Sequence, residues 1–237
     1  MSRLTYGVAA LMPSWTSTGS DLLISVFAPT HGFGIQRIHA VEGAALEPVI
    51  AASADAYPMQ ADVSPDGAAL VYLRGDREGN GDIYVHAMRG TGNDRPLVAT
   101  PALESTARIS PDGRFVAYQS NEEGLTEVFV RSFPGGGQKR KISTGGGSRP
   151  VWRRDGRELF YLSPDGDLMA ATIVTTPAFT AGVPQKLFRT PLDPTATMYA
   201  TVYDAHPDGK RFIMLAPVSD VPQPVNVILN WQTLMRR

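Results

Sequence analysis

This chain could do chemistry at four histidines, two glycine-rich loops, one acidic loop and one serine beside glycines. Histidines and carboxylates gathered at one mouth would hold a divalent metal or move protons, as a lyase or a metal hydrolase requires. His39 and His86 fall inside predicted strands and His206 inside a turn. His31 alone falls in a loop, and no carboxylates recur beside any of the four. The stretches Pro134–Gly137 and Gly145–Gly147 lack the Gly-x4-Gly-Lys-Ser/Thr spacing and open no helix, so they read as turns rather than phosphate cradles. Asp76–Asp82 sets oxygen-bearing side chains at alternate positions, like the start of a calcium loop. The twelfth position, which needs a bidentate Glu, is Ala87. Asn80-Gly81 suits a hairpin turn instead, and Asn121–Gly124 is the parallel acidic turn one unit later. Gly146-Gly147-Ser148-Arg149-Pro150 lacks the second glycine of a nucleophile elbow. The residues therefore predict no catalytic group, no bound metal and no cofactor.

Bulk properties narrow the class. The 22 basic and 23 acidic residues give a formal net charge of −1, which leaves no basic field for nucleic acid. Gln138-Lys139-Arg140-Lys141 is short and reads as a solvated strand edge. The absence of cysteine excludes disulfides, thiolate metal sites and cysteine nucleophiles. No run approaches the roughly 18 apolar residues of a membrane helix, and Val8–Met12 is too short for the core of a signal peptide. Neither export nor direct membrane insertion is expected of the chain as written, and its compartment stays open.

The elements that must position these residues are set by a repeat. Ser64-Pro65-Asp66-Gly67 returns as Ser110-Pro111-Asp112-Gly113, and in altered form as Arg153–Gly156 and His206–Gly209, with a fainter copy at Trp15–Gly19. The glycines stand 48, 46, 43 and 53 residues apart, the period of a repeat array. Pro presets φ for the turn and Gly takes the following position, where positive φ is easy. A strand follows each turn, with Tyr72, Tyr118 and Tyr161 at the fifth position after glycine. Four positions before it stand Trp15, Val63, Ile109, Trp152 and Ala205, a column expected to pack between units. Each unit carries four short β patterns bounded by Gly, Pro, Asn and Asp, and no stretch keeps a helical period.

Four antiparallel strands per unit predict an all-β fold, a β-propeller of four-stranded blades. One domain over residues 1–237 is expected, with blades at about 13–52, 58–100, 105–144, 149–188 and 199–231. The last blade lacks a fourth strand, and Ser2–Gly7 is left over ahead of the first. Pairing these segments, Ser2–Gly7 with Val225–Trp231, would close a five-bladed ring. The rival reading is a C-terminal arc of a six- or seven-bladed propeller, which would self-associate through its open flanks.

Loops from one blade to the next share a face with the loops between second and third strands, and loops on a rigid frame carry recognition. The candidate partner-binding residues are Asp55, Tyr57, Glu104, Arg149 and Tyr199 from the first set and His31 and Phe33 from the second. Asp193, Asp76, Glu78, Glu122 and Glu123 lie in the same loops. The expected partner is a protein or a small-molecule ligand.

The pattern carried by Ser64–Tyr72, Asp82–Val85, Ser110–Tyr118 and Glu127–Val130 resembles the TolB-like, WD-repeat-like propeller family. Ile142–Ala170 and the ending Val225–Arg237 resemble the C-terminal propeller of bacterial transmembrane serine/threonine protein kinases. That resemblance implies an extracytoplasmic sensor joined through a membrane helix to a cytoplasmic kinase. It also implies six or seven blades where five are visible. This chain has no Gly-rich nucleotide loop, no His-Arg-Asp and no Asp-Phe-Gly, so it carries no kinase chemistry. The reading is a non-catalytic binding or sensing propeller. The alternatives are a propeller enzyme, either a lyase or a lactonase-like metal hydrolase, and a degenerate fragment of a larger kinase–propeller protein.

Overall fold

Five tight turns organise the chain. In the computed structural model, which describes residues 4–5, 8–28, 32–53, 56–90, 94–192 and 202–215, the turn glycines Gly19, Gly67, Gly113, Gly156 and Gly209 have φ between 67° and 72°. Each donates its N–H to the carbonyl three residues earlier, at 2.8–2.9 Å. In the two full Ser-Pro-Asp-Gly copies the Ser hydroxyl donates to the Asp carboxylate and accepts from the N–H that starts the next strand, Ala69 or Phe115. The turn therefore satisfies its own polar groups and delivers an antiparallel strand each time.

The first sheet comprises β1 (Ala9–Trp15), β2 (Asp21–Ala28), β3 (Gly32–His39) and β4 (Leu46–Ile50). The second comprises β5 (Tyr57–Val63), β6 (Ala69–Gly75), β7 (Gly81–Ala87) and β8 (Arg95–Val98). The third comprises β9 (Glu104–Ile109), β10 (Phe115–Glu123), β11 (Leu125–Ser132) and β12 (Lys139–Lys141). The fourth holds β13 (Ser148–Trp152), β14 (Glu158–Leu162), β15 (Asp167–Val174), β16 (Thr180–Ala181) and β17 (Gln185–Arg189). A fifth begins with β18 (Tyr203–Ala205) and β19 (Phe212–Met214). Within each sheet the order follows the chain. Among the described residues there is no helix, and none long and apolar enough to cross a membrane.

The innermost strands pack side by side in sequence, β1 on β5, β5 on β9, β9 on β13 and β13 on β18, as in a β-propeller of about five blades. The cores lie between blades rather than within them. Leu23 and Ile35 of the first blade meet Leu70 and Tyr72 of the second. Val71 and Val85 meet Ile109 and Tyr118 of the third, Val128 and Val130 meet Trp152 and Tyr161 of the fourth, and Phe160 and Leu162 meet Tyr203 of the fifth. The column four residues before the turn glycine does pack between units, through Ile109 and Trp152. Trp152 also donates Nε1–H to the Arg108 carbonyl of the preceding blade at 2.9 Å. The three recurrent tyrosines are buried, and desolvation raises the pKa of each hydroxyl.

Three details differ from expectation. The first inner strand starts at Ala9, not Pro13, so the apolar run Val8–Met12 lies mostly within β1. The fourth blade has a split outer edge: β16 pairs with Ile173 and Val174, and β17 pairs with Asp167–Ala170. In the β6–β7 hairpin the positive φ sits at Gly79 (88°), whereas Gly81 is already in β7. Leu4, from the segment proposed to close the ring, packs on the first blade's outer cluster with Leu22, Ile24 and Val26. Its proposed partner strand, Val225–Trp231, lies outside the described residues.

Candidate functional site

The face built by the blade-to-blade and second-to-third-strand loops brings two of the predicted residues together. Phe33 is the second residue of β3 and Tyr57 opens β5. Their rings meet edge-on with centroids 6.2 Å apart, and Phe27 at the end of β2 lies 5.1 Å from Phe33. Phe33 and Tyr57 are half-buried, while Phe27 is 42% exposed. Gly32 makes room for the Tyr57 ring: a Cβ there would stand 3.1 Å from Tyr57 Cε1 and 2.6 Å from the Ser53 carbonyl oxygen. Asp55, His31, Tyr199 and Asp193 lie outside the described residues.

Glu104 and Arg149 are predicted in loops but belong to inner strands, and both are buried. Glu104 is a clamp on the second-to-third-blade connection. Its carboxylate accepts from the Thr100 hydroxyl, the Thr100 N–H and the Ser120 hydroxyl, while burial pushes its pKa up. Arg149 accepts at its carbonyl from the Tyr203 hydroxyl at 2.8 Å, tying the fifth blade to the fourth. Neither offers its side chain to a partner at the surface.

The other loops are occupied by the protein itself. Asp76 accepts from the Asn80 side chain and from the N–H groups of Glu78 and Asn80, which holds its carboxyl below the usual range. Gly146 donates its N–H to Glu127, and Gly136 to the Ser132 carbonyl. His39 pairs with Asp21 and His86 with Asp94, each at 2.7 Å, and His206 sits beside Asp208 in its turn. The three described histidines thus stand in three different blades.

Two columns of the repeat escaped the sequence reading. Seven residues before the first four turn glycines, Met12, Gln60, Thr106 and Arg149 have φ of 53–55°, an uncommon conformation for residues with a Cβ. The strand register slips at each of them, so each is a β-bulge. Where an acceptor is resolved, the bulge N–H points at a side chain of the preceding blade. Gln60 N–H donates to Ser25 Oγ at 3.2 Å, Thr106 N–H to Gln60 Oε1 at 2.8 Å and Arg149 N–H to Gln119 Oε1 at 2.9 Å.

Five residues before each turn glycine come Ser14, Asp62, Arg108, Val151 and Asp204, one from each inner strand. Asp62 accepts from the Ile109 N–H at 2.7 Å and, more weakly, from the Ser14 hydroxyl at 3.4 Å. Burial pushes its carboxyl above the ordinary value and the charge of Asp204 adds to the rise, while Arg108 opposes it. Asp204 keeps access to solvent, yet the protein around it raises its pKa too, again against the pull of Arg108. Both carboxylates thus feel the positive charge of Arg108. The cavity among Met12, Ser14, Gln60, Thr106 and Arg108 is about 10 Å³, room for no more than one water molecule. These inner-strand side chains tie neighbouring blades together. A position-by-position reading of the repeat columns would have found them, since charged side chains stand at a fixed place in otherwise apolar strands.

No protein-family model matches the chain. Among solved structures, TolB from Acinetobacter baumannii superposes with a TM-score of 0.60 at 19% identity, covering 80% of this chain and 46% of that one. A TolB-type protein from Agrobacterium tumefaciens gives 0.61 at 18%, covering 78% and 68%. A puromycin-hydrolysing peptidase from Mycobacterium tuberculosis gives 0.56 at 13%, covering 94% of this chain and 40% of that one. The chain thus spans about half the length of the Acinetobacter protein. Its architecture is a TolB-like β-propeller fold.

Proposed function

We propose that this chain is a non-catalytic binding module that docks a protein partner on the face carrying Phe27, Phe33 and Tyr57. The observation that carries this reading is the aromatic cluster itself: three rings, with Phe33 between Phe27 and Tyr57, partly open to solvent, at the ends of strands from two blades. Aromatic side chains on rigid elements bury large area at low entropic cost and are the usual anchors of interfaces. Support for the non-catalytic part comes from the three described histidines, each engaged with one aspartate in a separate blade. The finer reading is a sensor propeller of the kind appended to bacterial serine/threonine kinases; it rests on the resemblance of Ile142–Ala170 and Val225–Arg237.

The test is site-specific photo-crosslinking. A benzophenone amino acid at Phe27 or Tyr57 is expected to trap one discrete protein in the source cell, and Phe33→Ser is expected to abolish the adduct. The same probe at Val183, which is 80% exposed on the fourth blade, is expected to trap nothing discrete. Equal labelling from all three positions would overturn the assignment of this face. A metal-dependent hydrolase or lyase activity that copurifies with the chain would overturn the non-catalytic reading.

A further inference from the structure

The turn-side end of the junction between the third and fourth blades holds a basic cavity. The loop between β15 and β16 leans across this junction. Phe179 packs on Phe115 with ring centroids 4.8 Å apart, and Arg114 Nη2 reaches the Thr175 carbonyl and the Thr176 hydroxyl, both at 3.4 Å. Against this loop lies a solvent-open cavity of about 280 Å³, walled by Phe115, Pro177 and Phe179 and rimmed by Arg114, Gln138 and Arg140, with no carboxylate in its lining.

Strand alternation explains the charge. On β12, Lys139 and Lys141 point to one face, where they pair with Glu122 and with Glu123 and Glu127. Arg140 points to the other face, into the cavity, and its hydrogen bond there is to a neutral group, Gln138 Oε1 at 2.7 Å. Arg140 makes no ion pair among the described residues. Arg114 is bound to Asp112 through both Nε and Nη2 at 3.0 Å, and the same Nη2 reaches on to the loop. The cavity on the far side of the same loop is of opposite character, lined by Asp112 and Asp155 with Arg157. One loop thus divides a basic, aromatic-walled pocket from an acidic one.

We propose that the basic cavity binds an acidic side chain and its apolar neighbour from an extended segment of a protein partner. The carboxylate would sit on the Arg140 guanidinium, the planar fork that suits it, and the neighbour would lie against Phe115 and Phe179. The volume suits one or two side chains rather than a folded surface. This site is at the opposite strand ends from the Phe27–Phe33–Tyr57 cluster and does not depend on it.

The test is NMR titration of the arginine Nε–Hε signals of the full chain with acetyl-Phe-Glu-amide. Saturable shifts of Arg140 and Arg114 are expected by about 10 mM, the range of a minimal ligand, with the Gln138 side-chain amide moving alongside. Acetyl-Phe-Gln-amide is expected to bind at least about tenfold more weakly, and Phe179→Ala to weaken the acidic probe by a similar factor. Arg140→Gln, an exposed substitution that should leave circular dichroism unchanged, is expected to abolish the shifts, while Arg157→Gln in the neighbouring cavity should not. No saturable shift, equal shifts from the neutral probe, or equal shifts from sodium acetate would overturn the proposal, the last by showing that the aromatic wall takes no part.

Discussion

Asp62, Arg108 and Asp204 come from the inner strands of three different blades, and each carboxyl feels the charge of the arginine. Both carboxyls have folded pKa values raised above the ordinary 3.8. A raised carboxyl pKa means the folded state holds its proton more firmly than the unfolded chain does. The stabilising contribution is full below the unfolded value and is lost as pH climbs through the folded one. Arg108 limits that loss by its attraction to both carboxylates. Arg108→Gln is therefore expected to lower stability by about 1–3 kcal/mol near neutral pH, an amount reduced from the fully buried case because the arginine is only half-buried. The deficit should shrink at acid pH, as the carboxyls take up protons, and Asp204→Asn should recover part of it. Urea midpoints at the two pH values decide this; a deficit independent of pH would mean that the guanidinium acts by packing alone.

At the scale of the strand, the bulge amides make the blades interdependent. Gln119 accepts from the Arg149 N–H across the blade boundary while donating to Ser105 Oγ at 3.0 Å within its own sheet. Gln119→Ala should leave a buried N–H unanswered and cost about 1–3 kcal/mol. Gln119→Glu keeps an acceptor for that amide and should lose less. Thermal melts of the pair provide the comparison, and equal losses would count against the amide bond as the cause. These bulges also mark where the sequence stopped being readable. The turns were legible because Pro, Asp and Gly fix their geometry locally, and Tyr72, Tyr118 and Tyr161 were legible because burial repeats with residue type. The left-handed residues are Met, Gln, Thr and Arg, four types with no common propensity, and tertiary contacts alone put them there. Glu104 and Arg149 read as loop residues because Pro101 and Gly145–Gly147 stand just upstream. Their burial depends on the neighbouring blade, which no local pattern reports. On the candidate face, Phe33 and Tyr57 could be placed in the right loops, but the contacts of Phe33 with Tyr57 and with Phe27 needed the fold.

Across the whole molecule, stability should be graded, since each core is shared by only two blades. Strand β10 is paired on both edges, and its side chains enter two successive cores, Val116 and Tyr118 on one side and Ala117 on the other. Its amides are expected to exchange with solvent most slowly, and those of the exposed outer strands β4 and β17 much faster, in hydrogen-exchange mass spectrometry. Uniform exchange of all sheets would instead indicate a single cooperative unit.

The bulge amides have a direction as well as a strength. In all three resolved cases the acceptor belongs to the earlier blade and the amide to the later one. Synthesis proceeds in the same order, so each blade leaving the ribosome finds the acceptor for its strained residue already in place. A duplicated unit would inherit both halves of the arrangement, an amide that looks back and an acceptor that looks forward. The polarity of one hydrogen bond thus gives this architecture a means of gaining blades without redesigning the joints between them.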